Sequence, residues 1–208
     1  YEQAVALSSD YLKRVGSDSL IQLLHTHLLL MVKQNQLALN SFKKLPTELH
    51  SLPFYQGLRG RFSILQQHYQ AAIPNLLIAY NNAPTQLLAR LIAMSHYKSN
   101  NQQQGYNFLL SHVKNHPVDQ EILMLLANQQ INNQPALAIK SYEEVIKLKS
   151  DNIIALNNLA YLYLQQGELN KAENHALNAL NIQPTNVYLL DTMAQIKTLQ
   201  GNYQQALS

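Results

Sequence analysis

The chain contains neither cysteine nor tryptophan, and only 13% of its residues are charged. Without cysteine, disulfide bonds, thiolate metal sites and cysteine nucleophiles are excluded. Long apolar runs are also lacking: runs such as Leu28–Val32 are far shorter than the roughly 20 apolar residues that a membrane-spanning helix needs. We therefore expect no membrane span within this sequence.

No charge of either sign dominates the chain. Fifteen basic and twelve acidic residues give a net charge of +3 and a pI of about 9.0. These charges are scattered rather than gathered into a stripe that could follow a phosphate backbone, so we expect no nucleic-acid partner. A hydrophobic fraction of 47% over 208 residues is ample for burial, which argues against a disordered chain.

The clearest pattern lies in residues 153–186. Its first half repeats apolar residues three and four positions apart, as on one face of a helix, and ends at Gly167, which can adopt a left-handed conformation. Its second half repeats alanines and stops before Pro184. Such small residues predict a neighbouring helix at close range. The residues that carry the pattern are Leu156, Leu159, Ala160, Tyr163, Ala172, Ala176 and Ala179.

This pattern resembles the tetratricopeptide repeat (TPR), a 34-residue pair of antiparallel helices, and it recurs along nearly the whole sequence. The resemblance implies an all-α fold: a right-handed superhelix, or TPR solenoid, in which each helix pair covers the apolar face of the next. We expect a single array over residues 1–208, and the partial units at its ends predict that it is an excerpt of a longer chain. The predicted units are a partial one at 1–18, complete ones at 19–52, 53–85, 86–119, 120–152 and 153–186, and a partial one at 187–208.

Three features depart from the repeat pattern. Pro74 falls inside the expected second helix of its unit, which predicts either a kink or a late helix start. The turn between the helices of unit 120–152 is one residue short, and Pro135 stands where the start of a helix tolerates proline. Gly105 replaces the usual alanine at the crossing of its helix pair, which weakens the helix by up to about 1 kcal/mol.

The concave surface of a TPR solenoid is lined mainly by first helices, and their outward-facing side chains are the candidate partner-binding groove. Its N-terminal end is apolar, and there Arg61 and Arg90 can meet acidic groups of a partner segment. The alternative is that Leu20, Leu23 and Phe54 are buried against adjoining helices or a missing upstream repeat, and that the arginines are merely solvated. The candidate groove residues are His27, Phe54, Arg61, Arg90, Met94, Tyr97, Asn128, Asn157, Tyr161, Tyr188 and Asp191.

No motif points to catalysis or to a cofactor. The sequence has no phosphate loop, nucleophile elbow or recognisable acid–base pair, so we expect neither enzyme activity nor a cofactor. His112 and His116 have the spacing that lets two imidazoles share a metal ion, but no third ligand is near in sequence, and a surface pair is predicted instead. Asn157 and Asn158 resemble part of the two-carboxylate clamp of TPR co-chaperones, yet the matching lysines are lacking in neighbouring units.

These features together predict a non-catalytic scaffold that binds a protein or peptide partner. The runs 155–161 and 189–194 resemble long bacterial TPR arrays, in particular TPR lipoproteins of exosortase (PEP-CTERM) and exopolysaccharide-export systems. That resemblance implies a location in the bacterial envelope and a role in polymer secretion or assembly. Two alternatives stay open: a recognition domain of a larger enzyme, and a module that self-associates through its truncated ends.

Overall fold

The computed structural model of the chain describes residues 1–16 and 18–206, and the side chains of all of these except 205 and 206. These residues form thirteen α-helices and one short 3-10 helix. By their internal contacts they divide into two compact units, Tyr1–Gly105 and Tyr106–Ser208. Within the described residues, no helix is both long enough and apolar enough to cross a membrane.

The first unit consists mainly of helices joined by short turns, so that consecutive helices run antiparallel. Its elements are α1 (Glu2–Val15), α2 (Ser19–Met31), α3 (Asn35–Phe42), the 3-10 helix (Thr47–Ser51), α4 (Pro53–Leu65), α5 (Tyr69–Asn82) and α6 (Gln86–Lys98).

The division between the units falls within α7 (Gln102–Asn115). The remaining elements of the second unit are α8 (Gln120–Gln130), α9 (Pro135–Leu148), α10 (Ile153–Gln165), α11 (Leu169–Ile182), α12 (Val187–Leu199) and α13 (Tyr203–Ala206). The helix starts agree with the local sequence signals, whereas the assignment of residues 1–208 to one array stays a prediction.

Side-chain caps determine where alternate helices begin. An oxygen of the residue before each of α2, α6, α8, α10 and α12 accepts a hydrogen bond from a backbone N–H of the first turn, which would otherwise have no partner. Proline at the first position of α4 and of α9 serves the same end, because it has no N–H to satisfy. The capping residues are Asp18, Thr85, Asp119, Asn152 and Asn186.

Most turns within the helix pairs contain one residue at positive φ. Gly167 (φ 75°) and Gly201 (φ 79°) adopt it at little cost, but Lys33, Gln67 and Asn100 adopt it as well, each with φ 61°. The spacing before α9 is one residue shorter, because α9 starts 15 residues after α8 whereas the other pairs from α2 onward have a spacing of 16. The prediction that the turn itself is short is wrong: four residues join α8 to α9, and it is α8 that is shorter, with 11 residues.

The core of each unit is built mainly where consecutive helices pack against each other. In the second unit Ala138, Ala155, Ala160 and Ala172 are completely buried, as the small residues of the repeat pattern predict. In the first unit larger side chains surround Ala38, whose exposure is also 0%; they include Leu29, Tyr55, Leu58 and Phe62. Thr26, predicted at a crossing, is fully buried and satisfies its hydroxyl group with the carbonyl oxygen of Gln22 and the hydroxyl of Ser41.

Two elements differ from a regular repeat. Helix α5 starts at Tyr69 and continues through Pro74, so the late start that we considered does not occur. Helix α3 is only eight residues long and is followed by the 3-10 helix. The reason is local: Pro46 disfavours helical geometry at the preceding residue and lacks the N–H needed to continue α3.

Candidate functional site

An apolar cavity of about 380 Å³ lies in the first unit, where α2, α4 and α6 present their outward faces. Residues from α5 and the turn that follows it complete one wall. We call this the apolar cavity, and its lining includes His27, Met31, Phe54, Gly57, Arg61 and Leu87. Three of the predicted groove residues, on two different helices, therefore line one cavity.

Arg61 is the charged group of the apolar cavity. Its Nη1 lies 3.1 Å from His27 Nδ1, and its Nη2 donates to Met31 Sδ at 3.8 Å. Because a guanidinium can only donate, His27 Nδ1 must accept, which places the proton of a neutral imidazole on Nε2. The ring of Phe54 lies 5.2 Å from that of His27, centroid to centroid.

The surroundings lower the pKa values of both His27 and Arg61. Burial lowers the pKa of His27, and the positive charge of Arg61 lowers it further. Burial also lowers the pKa of Arg61, which nevertheless stays charged at any physiological pH. The cavity therefore presents a neutral histidine beside a partly desolvated cation.

Acid should destabilise the protein through histidines that are buried or half-buried. Burial lowers the folded-state pKa of His25, His27, His96, His112 and His175. The unfolded chain then binds protons first, so stability is full above the unfolded value of about 6.5 and is lost as the pH falls through the window below it. Urea unfolding between about pH 7 and pH 5 should show this decrease.

The contribution of His27 to that pH dependence can be isolated. His27→Gln keeps an oxygen that can accept from Arg61 but removes the ionisable ring, so we expect a shallower decrease of the free energy of unfolding with pH. His68→Gln, at an exposed position, is the control. A slope in His27→Gln as steep as in the wild type would contradict the assignment.

A second cavity, of about 300 Å³, lies on the other side of Arg61. It has an apolar floor that includes Ile64 and Leu87, and its rim carries Lys33 and Arg90 in addition to Arg61. Neither cavity has aspartate or glutamate in its described lining. We call this one the basic cavity, and the two cavities share Arg61 and Leu87.

Burial separates the apolar candidates of the first unit. Leu23 is buried at 3% exposure, as the packing alternative holds. Leu20 is 62% exposed and Phe54 is 45% exposed, so neither is buried against the adjoining helices of this chain, and Phe54 forms the cavity wall. Met94 and Tyr97 are half-buried on α6 outside the two linings; the Tyr97 ring packs against Gly105, where an added Cβ would lie 3.2 Å from Tyr97 Cζ.

The candidate side chains of the second unit differ in their exposure and in whether they form hydrogen bonds with other residues of the chain. Asn128 Oδ1 accepts from the buried Tyr142 hydroxyl at 2.5 Å, and Asn157 Oδ1 accepts from Thr192 Oγ1 at 3.1 Å. Asp191 Oδ2 accepts from Gln195 Nε2 at 2.8 Å and remains exposed. The exposed fractions of Tyr161 and Tyr188 are 46% and 78%, so both rings are accessible.

The predicted surface pair of histidines is wrong in one member. His112 is buried at 3% exposure, and its Nε2 lies 2.9 Å from Asp119 Oδ2, while His116 is half-buried with its ring 4.7 Å from that of His112. Asp119 is the residue before α8, and the turn between α7 and α8 brings its carboxylate back to His112 on α7. In the described residues no three histidine, aspartate or glutamate side chains cluster as a metal site would require.

Sequence reasoning missed several lining residues. Met31 lies one turn after His27 on the same face of α2, so its position was available from the helical period. Lys33 belongs to the turn after α2, and Asn82 to the end of α5. The sequence offered no reason to choose these two residues, because the candidates were taken only from the first helix of each repeat, not from turns or second helices.

Comparisons with known proteins agree with this architecture. A family model described as "TPR repeat" matches residues 132–167, and one described as "Tetratricopeptide repeat" matches residues 153–186. No curated protein sequence matches the chain.

Several solved structures share the fold. The crystal structure of MamA protein is 15% identical and has a TM-score of 0.65 over 74% of this chain and 86% of that chain. YrrB, described as a TPR protein with an unusual peptide-binding site, is 17% identical with a TM-score of 0.67, covering 88% of this chain and 95% of that chain. The all-α TPR solenoid class predicted from the sequence is thereby confirmed. Residues 132–186 match models of the tetratricopeptide repeat, and the chain has the fold of a TPR solenoid.

Proposed function

We propose that the chain is a non-catalytic interaction scaffold that holds a segment of a partner protein in the groove of its first unit. The observation that carries this proposal is the apolar cavity of about 380 Å³ between α2, α4 and α6, lined by the predicted groove residues His27, Phe54 and Arg61. A concave, mostly apolar site with a few polar groups is the usual form of a binding pocket.

The exposed ring of Phe54 is the main apolar surface that a ligand in the groove can contact. At 45% exposure, it has a large apolar area left to bury against a ligand. YrrB supports a peptide ligand by analogy, because its fold is similar and its description names a peptide-binding site. Met94 and Tyr97 on α6 extend the proposed groove within the first unit, and the candidate residues on α8, α10 and α12 form a separate proposed surface of the second unit.

Selection from a random peptide display library on the 208-residue chain tests the proposal. Selected peptides should bind Phe54→Ser about tenfold more weakly than the wild type, because the ring loses contact area worth roughly 1.4 kcal/mol. Ile78→Ser is the matched control: Ile78 is 48% exposed in the same unit but lies outside both cavities. Equal affinity of the wild type and Phe54→Ser would contradict the groove.

The same selection distinguishes this function from its rivals. Self-association through the chain ends would appear as dimers in light scattering, with no peptide selected. A recognition domain of a larger enzyme would still bind peptides, and the complete open reading frame would then carry a catalytic motif.

The cellular setting that we propose is the bacterial envelope, in an exosortase or exopolysaccharide system. The support is the resemblance of runs 155–161 and 189–194 to TPR lipoproteins of those systems. Fractionation of cells of the source organism should recover the protein with the envelope. Recovery in the cytosol alone would refute this setting and leave the groove proposal untouched.

A further inference from the structure

The basic cavity and the apolar cavity form a sequence of sites along the same three helices. Helix α4 lines the apolar cavity with Gly57 and Leu58, both cavities with Arg61, and the basic cavity with Ile64 and Leu65. Residues four apart on a helix are about 6 Å apart along its axis. A ligand that fills both cavities therefore extends on both sides of Arg61, and its chain does not end at this residue.

Helices α2 and α6 also line both cavities. On α2 and its turn, Met31 lines the apolar cavity and Lys33 the basic one; on α6, Leu88 lines the first and Arg90 the second. The side of the groove that follows Arg61 thus carries the exposed Lys33 as an additional positive charge, whereas the side before Arg61 is mainly apolar. This polarity fixes which part of a ligand lies on which side.

Arg61 has donors to spare for such a ligand. A guanidinium carries five N–H donors, and the contacts with His27 Nδ1 and Met31 Sδ use two of them. Within the described residues, both partners of Arg61 are uncharged groups and no carboxylate pairs with it. A partly buried cation is stabilised most by an opposite charge with matching geometry, and a carboxylate offers two oxygens to the guanidinium fork.

We infer that the groove selects an extended acidic segment of a partner protein, in which a large apolar residue is separated by one residue from an aspartate or glutamate. The apolar side chain enters the apolar cavity beside Phe54, and the carboxylate binds Arg61. In extended chain, side chains two residues apart point to the same face and lie about 6.6 Å apart, which is close to the distance from Gly57 to Arg61 along α4. This inference rests on the proposed function and specifies its ligand.

A cycle of paired substitutions tests the contact. Peptides from the display selection are labelled with fluorescein, amidated at the C-terminus and compared with versions in which the acidic residue is changed to its amide. We expect the amide version to bind the wild type about tenfold more weakly, since a charge-assisted hydrogen bond contributes on that scale. With Arg61→Gln the two versions should bind equally.

Arg59→Gln is the matched control. Arg59 lies on the same helix, is exposed and lines neither cavity, so its removal alters the net charge equally without altering the groove. The Arg59→Gln variant should show the same difference in affinity between the acidic and the amide peptide as the wild type does. Because the peptide itself is varied, the wild-type half of the cycle stays valid even if Arg61→Gln folds poorly.

Three results would overturn the inference. Selected peptides could lack an acidic residue two positions from a large apolar one; the amide version could lose as much affinity for Arg61→Gln as for the wild type; or binding could require a free C-terminus, which would make the ligand a terminal carboxylate. Failure of the proposed function looks different, because then no peptide is selected or Phe54→Ser binds peptides normally.

Discussion

Replacing Tyr142 by alanine is expected to lower the free energy of unfolding by about 3–5 kcal/mol, the range for removing a large buried aromatic side chain. Tyr142 is 0% exposed in the core of the second unit. Its hydroxyl donates to Asn128 Oδ1 at 2.5 Å and accepts from Asn158 Nδ2 at 2.8 Å, so the residue links α8, α9 and α10. Urea unfolding followed by circular dichroism measures the loss.

Two further variants separate the contributions of Tyr142. Tyr142→Phe keeps the packed ring and removes only the hydroxyl group, so it should cost about 1 kcal/mol. Tyr161→Ala removes the same side chain from a position on α10 that is 46% exposed, and should cost much less than Tyr142→Ala. If the two alanine variants lost equal stability, the buried position of Tyr142 would be wrong.

The second large effect is expected at Gly60, where α4 crosses α5. A Cβ at this position would lie 2.6 Å from Leu76 Cγ and 3.2 Å from the carbonyl oxygen of Ala72. Leu76 is 0% exposed and cannot move aside. We expect Gly60→Ala to cost about 1–3 kcal/mol from overpacking, reduced by the better helix propensity of alanine.

Gly57→Ala on the same helix is the comparison. There the nearest contact of the added Cβ would be Ala79 Cβ at 3.1 Å, which a small shift relieves, so the cost should be clearly smaller than at Gly60. A double variant, Gly60→Ala with Leu76→Ala, should lose less stability than the two single variants added together. Simple additivity, measured by urea unfolding, would show that the two residues do not meet as described.

Much of the fold was predictable because every repeat has the same physical requirements, so the same residue types recur at equivalent positions. Ala160 and Ala172 are small since a neighbouring helix approaches, and both are completely buried. Asp119, Asn152 and Asn186 precede helices and cap them. Pro135 starts α9 because a first helical position does not need the N–H that proline lacks.

The features that depart from the repeat were less predictable, because they depend on packing between neighbouring helices as well as on the local sequence. Nothing in the sequence shows that α5 would accommodate Pro74, and Pro46 shows only that α3 must end before it, not that α3 has eight residues. His112 was predicted at the surface from its spacing to His116, but its partner Asp119 lies beyond the helix end and becomes visible only in three dimensions. Sequence spacing describes one helix at a time, whereas burial depends on the helix that packs against it.

The candidate site shows the same division. The repeat register identified His27, Phe54 and Arg61 as outward-facing, and these three residues line the apolar cavity. It could not show that Arg61 would contact His27 and Met31, or that Lys33 would reach the basic cavity from a turn. Those contacts arise between residues about 30 positions apart, from helices whose separation is fixed only by packing.

The sequence by itself determined the helix pairs, their small-residue crossings and the faces that point outward, because each of these follows from local period and side-chain size. Tertiary structure alone decided that Lys33, Gln67 and Asn100 adopt positive φ in the turns, since a three-residue connection between two packed helices requires that backbone whatever residue is present. It also decided that two cavities meet at Arg61, because the shape of a groove depends on the distance between helices, which no single segment encodes.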